Sequence, residues 1–213
     1  MKYKCVIFDC DGVLVDSEAI SCMVLQEMAD NLGLSLKWNT IIETFSGKSL
    51  RNIIEYIEIR INQKIPANFE TEFRQKTFES FKRDLKPIKG IHKVINELTV
   101  PFCVASSGPR NKIILNLTTV DLIHKFSEER IFSSYDIGSW KPEPEIYLFA
   151  AKKMGFKPKE CVVIEDSIYG IEAAISGGFD TYAYTKGHNK KKFTEMGAMV
   201  FNDMNQLNVL ISH

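Results

Sequence analysis

Three short apolar runs constrain this chain more than anything else in it: Cys5-Val6-Ile7-Phe8, Phe102-Cys103-Val104-Ala105 and Cys161-Val162-Val163-Ile164. A strand with one wet face alternates between apolar and polar residues, whereas a strand covered on both faces is apolar nearly throughout. These runs therefore predict strands of a parallel sheet with helices on both sides. Thr181-Tyr182-Ala183-Tyr184 reads as a fourth strand, and Ile131-Phe132 and Met199-Val200-Phe201 as two shorter ones. Helical patterns fill the intervals at Ile91 to Leu98, Arg110 to Leu117, Glu145 to Met154 and Tyr169 to Ser176. Alternation of this kind makes an α/β fold with right-handed crossovers.

One interval breaks the rhythm. Between Phe8 and Phe102 there is no strong strand pattern. Ser17 to Leu32, Ser49 to Ile61 and Phe69 to Leu85 read as helices, with Ser17 as N-cap and Gly33 as stop for the first. The expected organisation is an α/β core of residues 1–15 and 87–213 carrying an all-helical insertion, 16–86. Val15-Asp16 and Lys86-Pro87 would be the hinges, because Pro87 disfavours helix at Lys86.

Composition excludes several classes of protein. The 213 residues are 45% hydrophobic and 25% charged, which is ordinary for a globular chain. Lys and Arg together number 27, as do Asp and Glu, so no bulk charge invites nucleic acid. No apolar run approaches membrane-spanning length, and the expected location is cytoplasmic. Five cysteines without a paired CxxC spacing offer neither a disulfide framework nor a thiolate zinc site. Cys10 lies between two aspartates, but no histidine is near in sequence to activate it as a nucleophile.

The chemistry gathers where the strands end, which is where open α/β sheets bind ligands. Asp9-Cys10-Asp11-Gly12 follows the first strand, Ser106-Ser107-Gly108 the second, and Glu165-Asp166-Ser167 the third long run. Trp140-Lys141-Pro142 lies upstream of that last cluster. Taken singly, each has an ordinary explanation as a turn, a cap or a surface lysine. Together they form a set of carboxylates, a hydroxyl and a lysine, which suits a hard cation and a phosphate.

In this order the clusters resemble the motifs of the haloacid dehalogenase-like hydrolase superfamily. KCVIFDCDGVLVDSE at Lys4 to Glu18 resembles the first motif and Val104 to Gly108 the second. Lys141 to Pro144 resembles the third, and Val163 to Ser167, continuing to Ala174, the fourth. The helical insertion matches the subclass with a cap between the first two motifs. Ser107 to Lys112 and Tyr135 to Pro142 are similar to the capped sugar-phosphatase and β-phosphoglucomutase-like subgroup, in particular to the 6-phosphogluconate phosphatase type.

The resemblance implies a Rossmann-like parallel core with an inserted helical cap, and a Mg²⁺-dependent hydrolase of a small phosphorylated sugar or sugar acid. It makes Asp9 the nucleophile, forming a phosphoaspartate, and Asp11 the acid and base. Lys141 would stabilise the phosphate and orient Asp9, and Ser106, with Ser107 beside it, would bind the phosphoryl group. Asp9, the Asp11 backbone carbonyl and Asp166 would hold Mg²⁺, with Glu165 as a further or water-mediated ligand. In the cap, Phe45-Ser46-Gly47-Lys48-Ser49 would be a specificity loop, with Gly47, Lys48 and Arg51 contacting substrate. Arg110, Asn111 and Lys112 would line the entrance or simply begin a helix. A phosphosugar mutase on the same residues and a non-catalytic binding protein on the same fold are the alternatives. The expected partner is a small phosphorylated metabolite, with neither nucleic acid nor membrane, on a monomer or weak homo-oligomer.

Overall fold

A computed structural model of the chain describes residues 2–45, 50–187 and 189–212. Its sheet has six parallel strands, β1 (Cys5–Phe8), β2 (Phe102–Ser106), β3 (Ile131–Ser133), β4 (Cys161–Glu165), β5 (Asp180–Tyr184) and β6 (Met199–Phe201). They lie in the order β3-β2-β1-β4-β5-β6. The order runs outward in opposite directions from β1, so the sheet has its topological switch point beside that strand. The side chains of β1 and β4 are buried throughout, as their unbroken apolar character predicts. Burying each large apolar side chain contributes about 1.5–3 kcal/mol.

The chain divides into two compact units, one running to Asp16 and resuming at Lys86, the other Ser17–Leu85. The second contains α1 (Glu18–Asn31), α2 (Trp38–Phe45), α3 (Leu50–Ile61) and α4 (Phe69–Asp84). It has its own core, including Leu25, Met28, Ile41, Ile53, Ile57 and Phe69. The Gly33 stop is present: Gly33 has φ +82°, its N–H donates to the Asp30 carbonyl, and the Leu34 N–H donates to that of Ala29. The Ser17 cap is not. Its backbone is helical and its side chain makes no capping hydrogen bond, so α1 starts without one. The α2 helix has no counterpart in the sequence reading.

In the first unit the helices are α5 (Ile91–Glu97), α6 (Arg110–Thr119), α7 (Ser134–Ile137), α8 (Glu145–Met154), α9 (Ile168–Ser176), α10 (Lys190–Glu195) and α11 (Leu207–Leu210). Its two connecting segments are tied together. The Asp16 N–H donates to the Lys86 carbonyl at 2.9 Å, that of Ile88 donates to Leu14 at 3.0 Å, and Val15 and Pro87 form an antiparallel bridge. Among the described residues no helix is long and apolar enough to cross a membrane.

Candidate active site

Strand register brings the polar clusters together. Phe8 is level with Val104 on one side and Ile164 on the other. One residue further on, Asp9 follows β1 beside Glu165, the last residue of β4, and Ser106 ends β2. All three are buried.

Lys141 joins two of these carboxylates. Its Nζ lies 2.5 Å from Asp9 Oδ1 and 2.6 Å from Glu165 Oε1, with its side chain only 6% exposed. The Tyr147 ring lies 4.8 Å from the same nitrogen, and the Tyr147 hydroxyl donates to Glu165 Oε1 at 2.8 Å. Glu165 Oε2 accepts from the Asp166 N–H, the Ser167 N–H and Ser167 Oγ at 2.7, 2.8 and 3.0 Å. Five donors thus converge on two oxygens. Ser167 Oγ in turn accepts from the Gly170 N–H at 3.0 Å and caps α9.

The two carboxylates facing Lys141 respond differently. Burial pushes Glu165 up, but Lys141 and the converging hydrogen bonds outweigh it and hold the group below the usual carboxylate range. Burial also pushes Asp9 up. Lys141 opposes this, the charges of Glu165 and Asp11 reinforce it, and the group settles at about 7. Asp9 is therefore a carboxylate short of positive charge. Burial lowers Lys141, but its two carboxylates more than offset that and keep it protonated.

Asp11 accepts from other donors, two of them on α6. Lys112 Nζ reaches its Oδ2 at 2.7 Å, and Asn116 Nδ2 reaches its Oδ1 at 3.3 Å. Among the described residues the site holds four carboxyl groups, on Asp9, Asp11, Glu165 and Asp166, against two amines, on Lys112 and Lys141. Oxygens of Asp9, Glu165 and Asp166 lie within 4.8 Å of one another. This hard, net-negative oxygen set fits a divalent cation.

Two glycines make the close packing possible. A Cβ on Gly12, whose φ is +79°, would fall 1.8 Å from Asp166 Oδ2. A Cβ on Gly170 would fall 1.7 Å from Glu165 Oε1.

The other expected site residues are placed differently. Ser106 Oγ accepts from the Gly108 N–H at 3.1 Å, so it closes its own turn and does not cap α6. Ser107 is half-buried; Asn111 is exposed, and its Oδ1 accepts from the Lys112 N–H. Arg110 binds the carbonyls of Ile131 and Glu128 and the Asp136 carboxylate, which makes it a clasp between α6 and the residues around β3. Arg51 is exposed on α3 of the other unit. Gly47 and Lys48, with the rest of the Ser46–Ser49 stretch, lie outside the described residues. Burial and the two flanking aspartates push the Cys10 thiol well up, which suits a core residue and not a thiolate.

The sequence reading left Lys112 undecided and missed Asn116 and Tyr147. A signal was present for the first two: Lys112 and Asn116 are four apart at the start of a helix that follows the second polar cluster, so they share a face. Tyr147 is fully buried in α8, and a tyrosine in an apolar helix carries no comparable mark.

The site defines a class of protein, and comparison with known proteins agrees with it. The family pattern described as haloacid dehalogenase-like hydrolase matches residues 6–184. The chain belongs to this family, and is with it an enzyme, a phosphoric monoester hydrolase. It is 30% identical to the 6-phosphogluconate phosphatase of Escherichia coli over 97% of this chain and 93% of that protein. It is 28% identical to the phosphorylated carbohydrates phosphatase of Thermotoga maritima over 83% of this chain and 82% of that one. A haloacid dehalogenase-like protein of Agrobacterium tumefaciens superposes with a TM-score of 0.89 at 30% identity, covering 99% of this chain and 98% of its own.

Proposed function

We propose that this enzyme is a Mg²⁺-dependent phosphatase of a small phosphorylated sugar or sugar acid, 6-phosphogluconate-like, acting through a phosphoaspartate on Asp9. The observation that carries the reading is Asp9 itself. It is a buried carboxylate at a strand end, aligned by one lysine and, among the described residues, set among more carboxyl groups than amines. A phosphate dianion would be repelled there unless a cation joined it.

Asp9 attacks phosphorus, and the bond from phosphorus to the sugar oxygen breaks. Asp11, protonated from solvent before this step, gives that proton to the leaving oxygen, then takes one from the water that attacks the phosphoaspartate, which releases inorganic phosphate and restores Asp9. Ser106, whose hydroxyl proton is not used in accepting from Gly108, donates to the phosphoryl group. Lys141 orients Asp9 and offsets charge on the phosphoryl oxygens. Asp9, Asp166 and the Asp11 carbonyl are the residues assigned to Mg²⁺, which when bound neutralises charge between carboxylate and phosphate. Glu165, with five donors on its oxygens, is assigned to holding Lys141 and the turn at Asp166 in place. Choice among leaving groups is assigned to the helical unit, with Gly47, Lys48 and Arg51 as the residues to vary.

The test is phosphate release from a panel of 6-phosphogluconate, hexose and pentose phosphates and β-glucose 1-phosphate. Release that both EDTA and Asp9→Asn abolish is expected. Isomerisation of β-glucose 1-phosphate without release would replace the reading with a mutase. Neither activity, despite measured Mg²⁺ binding, would overturn it.

A further inference from the structure

Asp11 is held by two side chains that lie on one face of α6. Lys112 and Asn116 are four residues apart, so they stand one above the other. They take different oxygens of the carboxylate, Lys112 at Oδ2 and Asn116 at Oδ1. Two donors on separate oxygens resist rotation of the carboxylate about its last bond. Asn116 is fully buried, and its Oδ1 accepts no hydrogen bond among the described residues. Leaving a buried acceptor unsatisfied costs about 1–3 kcal/mol, and an apolar residue at that position would avoid the cost. The Lys112 stem also lies across the phosphate-binding turn, since a Cβ on Gly108 would sit 3.4 Å from Lys112 Cδ and 3.5 Å from Ser106 Oγ. Lys112 therefore links the second polar cluster to the first.

We propose that Lys112 is a positioning residue for Asp11, with Asn116 as its second anchor: together they aim the carboxyl at the leaving oxygen. This rests on the role given to Asp11 above. It predicts that losing Lys112 matters in proportion to how badly the leaving group needs a proton.

The experiment compares kcat/KM, which reports the steps through phosphoaspartate formation, across aryl and alkyl phosphates ordered by leaving-group basicity. Asp11→Asn is the reference, and Lys112→Met, Lys112→Gln and Lys112→Arg are the test. Lys112→Met and Lys112→Gln are expected to lose roughly 10- to 100-fold on alkyl phosphates, the scale of a displaced catalytic group. The loss should shrink on p-nitrophenyl phosphate, and Lys112→Arg should recover part of it. Mg²⁺ affinity by calorimetry should stay within a few-fold of the parent. If Asp11→Asn loses equally on every ester, the reading of Asp11 fails. If Asp11→Asn depends on the leaving group and the lysine variants do not, the proposal fails while that reading stands. Weakened Mg²⁺ binding in step with activity, or unfolding of both Lys112→Met and Lys112→Gln by near-ultraviolet circular dichroism, would also overturn it.

Discussion

Gly12 packs against Asp166 so tightly that a Cβ on Gly12 would come 1.8 Å from Asp166 Oδ2. The backbone there has φ +79°, in the left-handed region. The Asp166 carboxylate thus lies against the loop that follows the neighbouring strand, in space that a side chain at position 12 would take. Gly12→Ala must push that carboxylate aside. The expected result is Mg²⁺ affinity weaker by about 10-fold or more, as when a group that orients a metal ligand is lost. The backbone penalty should be about 1–2 kcal/mol. Calorimetric Mg²⁺ titration beside urea unfolding separates the two effects, and unchanged affinity would remove Asp166 from the metal site.

Lys141 serves two buried carboxylates at once, so its loss leaves both without a cation. Lys141→Met is expected to destabilise the fold by about 3–5 kcal/mol, the usual cost of stranding a buried charge. Activity should fall by roughly 10²–10³, as for loss of a group that stabilises the reacting centre. Adding Asp9→Asn removes one stranded charge. The double variant should therefore be more stable than the sum of the two single effects predicts, by about 0.5–3 kcal/mol. Urea denaturation of the four proteins measures this, and strict additivity would mean that Lys141 and Asp9 do not interact.

The strands were legible because each contains a run of apolar or β-branched residues, which the buried centre of the sheet demands and its β6 edge, with Met199 exposed, merely tolerates. The polar clusters were legible for a related reason: a strand that ends in Asp-x-Asp or Glu-Asp interrupts apolar sequence abruptly. Legibility failed where structure depends on partners distant in the chain. Ser17 looks like a cap, yet it is buried with helical backbone, and its hydroxyl has no capping role. Tyr147 meets Glu165 only because α8 packs on the sheet face against β1 and β2, a fact no local pattern contains.

The excess of negative charge around Asp9 gives opposite effects for one substitution. Without metal, Asp9→Asn relieves a carboxylate whose ionisation burial and neighbouring charges oppose, so the melting temperature should rise. With Mg²⁺, the parent should gain about 2.7 kcal/mol at one hundred times its Kd, and Asp9→Asn should gain little. EDTA should return the parent to its starting value. Melting curves with and without Mg²⁺ read all of this, and an equal Mg²⁺ shift in both proteins would move the ion elsewhere.

Far from this site, Tyr3 and Asp180 tie the start of the chain to β5. The buried Tyr3 hydroxyl donates to Asp180 Oδ2 at 2.8 Å, and Lys2 Nζ reaches the same oxygen at 2.9 Å. Burial raises Asp180, but the hydrogen bonds from Lys2 and Tyr3 bring it below its ordinary 3.8. A carboxylate lowered on folding stabilises above its unfolded pKa and loses that stability as pH falls through its folded value. Burial pushes Tyr3 up from 10.0 to about 12. A phenol raised on folding stabilises fully below 10 and loses that stability as pH climbs toward 12. Tyr3→Phe should therefore cost about 1.5 kcal/mol at neutral pH, the scale of a hydrogen bond to a charged group. It should also flatten the alkaline limb of the stability curve. Asp180→Asn should flatten the acid limb below pH 4. Urea unfolding across the pH range measures both limbs, and an alkaline limb unchanged in Tyr3→Phe would show that Tyr3 does not control it.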